Sequence, residues 1–176
     1  HENILIDGYY DHVRQPTPAE EEIMREMPFE EDWYKENWKV DEFVTGVSGY
    51  DALKRLLFSP TATICGLTSG WQGSGTKTVL PSKAHAKFTF RLVGKQNPAK
   101  VLKAFQAFAK GLIPKDCKIE FSGRGGGSPA TEIAEDNPWI AKSAAALKQE
   151  FKRDTVLMGS GGSIPICRSF KDILGM

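Results

Sequence analysis

The chain has 176 residues, 40% of them hydrophobic and 26% charged, with a formal net charge of +1. That balance is ordinary for a soluble globular protein of one or two domains. The small net charge argues against nucleic acid or an anionic membrane surface as a partner. No apolar run is long enough to span a bilayer, and the opening residues do not read as a signal peptide.

Ile4–Ile6 is a short apolar run that enters Gly8-Tyr9-Tyr10-Asp11-His12-Val13. Thr17-Pro18-Ala19-Glu20 predicts a helix start, with Thr17 as cap, Pro18 in the first turn and Glu20 completing a capping box. Residues 20–43 are acidic and aromatic-rich, with Trp33, Tyr34 and Trp38, and read as helices covering one edge of the domain. Glu20–Glu22 reads as a solvated face. Val40–Phe58 is expected to continue as helix, with Gly46 and Gly49 marking a turn between its pieces.

Pro60–Val93 reads as two β-strands joined by a glycine-rich loop, and the rest of the chain is organised around it. In its second half Ala84, Ala86, Phe88, Phe90 and Leu92 fall on one face, and His85, Lys87, Thr89, Arg91 and Val93 on the other. Period-two alternation is the pattern of a strand with one face packed and one open. Arg91 is therefore expected on the open face of a stiff element, where a guanidinium can clamp an anion. Taken alone, it could equally serve a surface salt bridge. Thr78 is expected at the start of the second strand, after Gly73-Ser74-Gly75, where a hydroxyl could bind a substrate oxygen or simply favour a strand. His85 is read as a surface residue.

Asn97-Pro98 starts a strong helix whose Val101, Phe105, Phe108 and Leu112 repeat at helical spacing, flanked by Leu102 and Ala109; Gly111 and Pro114 end it. That stripe would cover the packed face of the sheet. Cys117, Ile119 and Phe121 alternate, predicting a strand over Lys118–Ser122. Strand, strand, helix, strand is most of a ferredoxin-like unit, lacking a first strand and helix upstream. Gly123–Ser128 is read as a linker in preference to a phosphate loop, because no helix follows directly. Asn137-Pro138 starts a further helix with Ile140, Ala144, Leu147 and Phe151 as its buried stripe. Thr155–Met158 is expected as a short strand. Gly159–Ser163 then leads into a helix holding Ile166, Phe170, Ile173 and Leu174, with Ser163 as cap or hydroxyl donor. A glycine turn before a helix suits an anion. A dinucleotide fingerprint fails there, because Ile164 and Pro165 follow in place of the third glycine.

The three cysteines, Cys65, Cys117 and Cys167, are scattered and lack metal-ligand spacing. They read as buried, reduced thiols of a cytoplasmic protein. His1, His12 and His85 form no cluster, so no zinc site is expected in this chain. Both ends are abrupt, which reads as a segment of a longer protein.

Five stretches together resemble the M20 metallopeptidases, most closely the carnosinase-type dipeptidases. They are Asp7-Gly8-Tyr9-Tyr10-Asp11, Pro60-Thr61, Gly75-Thr76-Lys77-Thr78-Val79-Leu80-Pro81, Phe90-Arg91-Leu92-Val93 and Gly161-Gly162-Ser163-Ile164-Pro165. The resemblance implies an α+β fold: a ferredoxin-like lid over residues 1–129, antiparallel sheet with helices on one face, incomplete at its start. Residues 130–176 would be a helix-strand-helix piece of an α/β catalytic domain. It further implies a homodimeric hydrolase with two zinc ions, acting on dipeptides or short peptides, whose catalytic residues and metal ligands lie outside this chain. By the same resemblance, Arg91 holds the substrate's terminal carboxylate and Thr78 reaches the partner subunit's site. Gly162 and Ser163 would contact the same carboxylate end. His12 stands where many relatives have a second Asp, and Gly159-Ser160 where animal relatives have Arg-Glu. The competing expectations are an amidohydrolase of N-acyl amino acids, a non-catalytic ligand-binding or oligomerisation module, and a nucleotide-binding protein.

Overall fold

Thr17 caps the first helix, α1 (Pro18–Glu26), with a complete capping box. Its hydroxyl accepts from Glu20 N at 3.3 Å, and the Glu20 carboxylate accepts from Thr17 N at 2.7 Å. The same carboxylate receives both Arg14 guanidinium nitrogens at 2.7 Å, a forked pair of strong charge-assisted bonds. These relations come from a computed structural model, which describes residues 3–123, 127–134, 136–160 and 164–175, apart from the Thr45 side chain. The remaining helices are α2 (Glu31–Trp38), α3 (Gly49–Phe58), α4 (Pro98–Leu112), α5 (Pro138–Phe151) and α6 (Pro165–Leu174). The strands are β1 (Thr61–Ser69) and β2 (Ala84–Arg91). The architecture is mixed α and β, as expected.

β1 and β2 form an antiparallel hairpin with Thr61 opposite Arg91 and Ser69 opposite Ala84. A bulge at Cys65 shifts the register between Ile64 and Gly66, and the Cys65 thiol donates to Lys87 O at 3.4 Å. The apolar side of the hairpin carries Ala62 and Phe90, which pack with Leu92 against Phe105, Phe108 and Val101 of α4. The helical repeat of α4 therefore meets the period-two repeat of β2, as the two patterns demand. Asn97 caps α4 by accepting from Ala99 N at 2.9 Å and Lys100 N at 3.2 Å.

Tyr9 closes this core from the N-terminal side with no exposed surface. Its hydroxyl donates to Thr61 O at 2.8 Å, and its own carbonyl accepts from Gln96 Nε2 at 2.5 Å. Gln96 Oε1 in turn accepts from Val93 N at 3.0 Å. One buried amide thus ties the Tyr9 loop to the β2–α4 turn. Gly94 lies in that turn with φ +55°, and a Cβ there would stand 3.2 Å from His12 O, so a side chain would be both conformationally strained and tightly crowded. A second apolar group, Met24 of α1 with Ala52, Leu53 and Leu57 of α3, is also buried.

Several expectations are corrected. Lys118–Ser122 forms no strand among the described residues. Alternation selects an apolar face but supplies no hydrogen-bonding edge, and the first strand of a ferredoxin-like unit is not among the described residues. Phe121 still meets Phe105 edge-on at 6.2 Å. Thr155–Met158 is likewise not a strand; Thr155 Oγ1 instead donates to Ala144 O of α5 at 3.0 Å. The stripe on α5 is not buried: Leu147 and Phe151 are 47% and 69% exposed, because nothing described here covers that face. On α4, Leu112 extends past the sheet and is exposed. Residues 41–48 do not continue as a helix; a 3₁₀ turn at Val44–Gly46 precedes α3, as two positive-φ glycines, Gly46 and Gly49, interrupt the chain. All three cysteines are exposed, and all are free.

The Arg14–Glu20 pair makes stability pH-dependent. The Arg14 guanidinium, followed by the Thr17 backbone N–H, holds the Glu20 carboxyl down to about 2 from its ordinary 4.5, against opposing desolvation. A depressed carboxyl adds stability that is complete above the unfolded value and disappears as pH falls through the folded one. The expected gap in stability between wild type and Glu20→Gln is about 1 kcal/mol at pH 6, since solvent screens the pair. It should close between about pH 4.5 and 2. Urea titrations across that range measure it; a gap independent of pH refutes the assignment.

Candidate functional site

The face of the hairpin turned away from α4 is polar. β2 places Arg91, Thr89, Lys87 and His85 on it, and the register sets Thr61 opposite Arg91 and Thr63 opposite Thr89. Arg91 is exposed. Among the described residues its side chain makes no ion pair and no hydrogen bond, whereas Arg14 and Arg168 are both matched to carboxylates. No carboxylate from β1 or β2 shares the face, so its field is basic. A guanidinium with five donors and no internal acceptor is a ready-made fork for an incoming carboxylate.

Thr78 is also exposed, but it lies in the loop that joins β1 to β2 and not at the start of the second strand, which begins only at Ala84 because the proline and glycines of the loop do not pair. That loop leaves the hairpin at the Ala84 end, and Arg91 is at the other. Seven strand steps separate Ala84 from Arg91, roughly 23 Å. The neck of the Thr78 loop and Arg91 therefore lie at opposite ends of the hairpin. Gly162 and Ser163 lie outside the described residues. The N-cap position of α6 is Ile164, which makes no side-chain capping bond. Arg124-Gly125-Gly126 of the expected linker also lie outside the described residues.

Beside α6 an open groove of about 660 Å³ runs between Ser128-Pro129 and Ile166, Arg168 and Asp172. Arg168 is committed there to Asp172 at 2.7 Å, so the groove offers no spare charge. Among the described residues no three His, Cys, Asp or Glu side chains converge to hold a metal ion. The described residues by themselves do not fit a metal centre.

Sequence reading missed the Gln96 amide and the Arg14 fork. Arg14 also reaches Glu132 at 3.2 Å, 118 positions along the chain, a pairing that no local pattern announces. Trp71, in the Thr78 loop, was passed over as well; a tryptophan among glycines and serines was the available signal.

A family model for the peptidase dimerisation domain of M20 enzymes matches residues 21–117. The chain belongs to the M20 peptidase dimerisation-domain family. It is 26% identical over 175 residues to human Beta-Ala-His dipeptidase, covering 98% of this chain and 34% of that protein. It is 28% identical over 189 residues to the Cys-Gly metallodipeptidase of Saccharomyces cerevisiae, covering 97% of this chain and 36% of that protein. Its fold superposes on an M20 family metallo-carboxypeptidase from Sulfolobus solfataricus with a TM-score of 0.81 at 26% identity, over 98% of this chain and 44% of the other. The M20 chain thus spans about a third of the length of the curated relatives it matches. No helix among the described residues is long and apolar enough to cross a membrane.

Proposed function

We propose that the full-length protein is a zinc-dependent homodimeric dipeptidase that engages the free C-terminus of dipeptides or short peptides. In this reading residues 1–129 are a lid and dimerisation domain, and residues 130–176 the start of the returning catalytic domain. The segment supplies the substrate grip, while two zinc ions are held by residues elsewhere in the protein. Arg91 forks the terminal carboxylate and fixes its direction. Thr78 offers its hydroxyl to the ligand of the partner subunit, and Gly162 and Ser163 meet the carboxylate end. We place the protein in the cytoplasm, in keeping with three free and exposed thiols.

The observation that carries this reading is the exposed Arg91, unmatched among the described residues and presented from a strand. The distance between Arg91 and the Thr78 loop supports a site shared between two copies. The names of the relatives, dipeptidases for β-Ala-His and Cys-Gly, supply the substrate class.

The test compares each dipeptide with its C-terminal amide in the purified full-length protein. Loss of the carboxylate is expected to lower kcat/KM by about tenfold or more. Chelation is expected to abolish turnover and added zinc to restore it. Equal turnover of acid and amide refutes the carboxylate grip. A protein that binds no metal and cleaves neither dipeptides nor N-acyl amino acids is a binding or oligomerisation module instead.

A further inference from the structure

We propose that Trp71 is the positioning residue that sets the place of Thr78 for the reaction. The inference rests on the reading that Thr78 contacts a ligand. The loop from Gly70 to Lys83 is exposed throughout and contains no regular secondary structure. A glycine- and serine-rich segment of that length would ordinarily sample many conformations, and ordering it costs entropy at every residue.

This loop is held by its own contacts. Its neck is closed where Ser69 Oγ donates to Lys83 O at 3.3 Å and Pro81 packs 3.5 Å from the Cβ position of Gly70. Above the neck, Gln72 Nε2 donates to Ser69 O at 2.6 Å. At the centre lies the Trp71 indole, still 51% exposed. Its Nε1 donates to Ser74 O at 3.3 Å. Its ring lies directly on Gly73, so closely that a Cβ there would fall 2.3 Å from a ring carbon. Lys77 Nζ sits 4.9 Å from the ring centroid, a cation–π contact.

The chain from indole to hydroxyl is then short. Lys77 is pinned over Trp71, and its carbonyl accepts from Val79 N at 3.0 Å. A bond from residue i+2 back to residue i makes a three-residue turn with Thr78 as its central residue. Trp71 fixes Lys77, Lys77 O fixes Val79, and the backbone between them fixes Thr78. A large aromatic spent on a solvent-exposed loop, with a glycine beneath it, adds little to a core but removes the freedom of the residue the loop presents.

The test is a double-mutant cycle in the full-length protein, with turnover of β-Ala-His or Cys-Gly as the readout. Trp71→Ala and Thr78→Val are each expected to lower kcat/KM about tenfold, with dimers retained on gel filtration. The double variant is expected to match Thr78→Val, not to multiply the losses, because both act at one point. Trp71→Phe keeps the ring that receives Lys77 and is expected within about twofold of wild type. If Thr78→Val is impaired while Trp71→Ala is normal, or if the two losses multiply, the positioning role is wrong and the Thr78 reading survives. If Thr78→Val itself is normal, the Thr78 reading fails and this inference with it.

Discussion

Arg91→Lys in the full-length protein is expected to lower kcat/KM for a dipeptide by about tenfold or more. Arg91 ends β2, opposite Thr61 and on the face turned from α4. Lysine keeps the charge and most of the reach, so simple attraction survives. It loses the planar fork, and with it the second parallel hydrogen bond that fixes how the carboxylate lies. A substrate held by one rotating contact spends less time in register with the catalytic centre. The loss is therefore expected to disappear with a C-terminal amide substrate, on which wild type and variant should be equally poor. Steady-state kinetics on both substrates measure it. Unchanged kinetics on the free dipeptide, or equal losses on acid and amide, remove Arg91 from the role assigned to it.

Tyr9→Ala destabilises the chain by about 3–5 kcal/mol, within the range for removing a buried aromatic side chain. Tyr9 is wholly inaccessible, with Tyr10 edge-on at 5.5 Å and Phe90 tilted at 6.0 Å. Burial, followed by Tyr10, pushes its phenol up to about 12, so it stays protonated and donates to Thr61 O at neutral pH. Alanine empties that volume and leaves the Thr61 carbonyl unmatched. Tyr9→Phe keeps the ring and gives up only the hydrogen bond, at about 1–1.5 kcal/mol. Small domains have about 5–15 kcal/mol to lose, so the alanine variant should be largely unfolded well below the wild-type urea midpoint. An alanine variant within about 1 kcal/mol of wild type shows that Tyr9 is not a keystone.

What could be read in advance divides by range. The capping box at Thr17, the Asn97 and Asn137 caps and the face of Arg91 are local, set by neighbours within four residues, and the structure contains each. The strands expected at Lys118–Ser122 and Thr155–Met158 failed for the opposite reason. Lys118–Ser122 alternates and Thr155–Met158 is a short apolar run, but a strand exists only where it pairs with another, and among the described residues neither segment pairs with β1 or β2. Burial of Leu147 and Phe151 failed similarly, since periodicity marks a face but not what covers it. The Gln96–Tyr9 bond links positions 87 apart, and no local rule reaches that far. At the site, Arg91 and Thr78 were found as types in a pattern; their separation along the hairpin required the register.

The bulge at Cys65 has a consequence for colloidal behaviour. β1 leaves Ile64 62% and Leu67 74% exposed, along an edge with no neighbouring strand among the described residues. Without a bulge, an unpaired apolar edge of this kind would template the stacking of further chains into fibrils. The extra residue between Ile64 and Gly66 breaks the even spacing of N–H and C=O groups in mid-strand and increases local twist. An incoming strand can match one half of the edge but not both, so the kink acts as a stop against runaway strand addition.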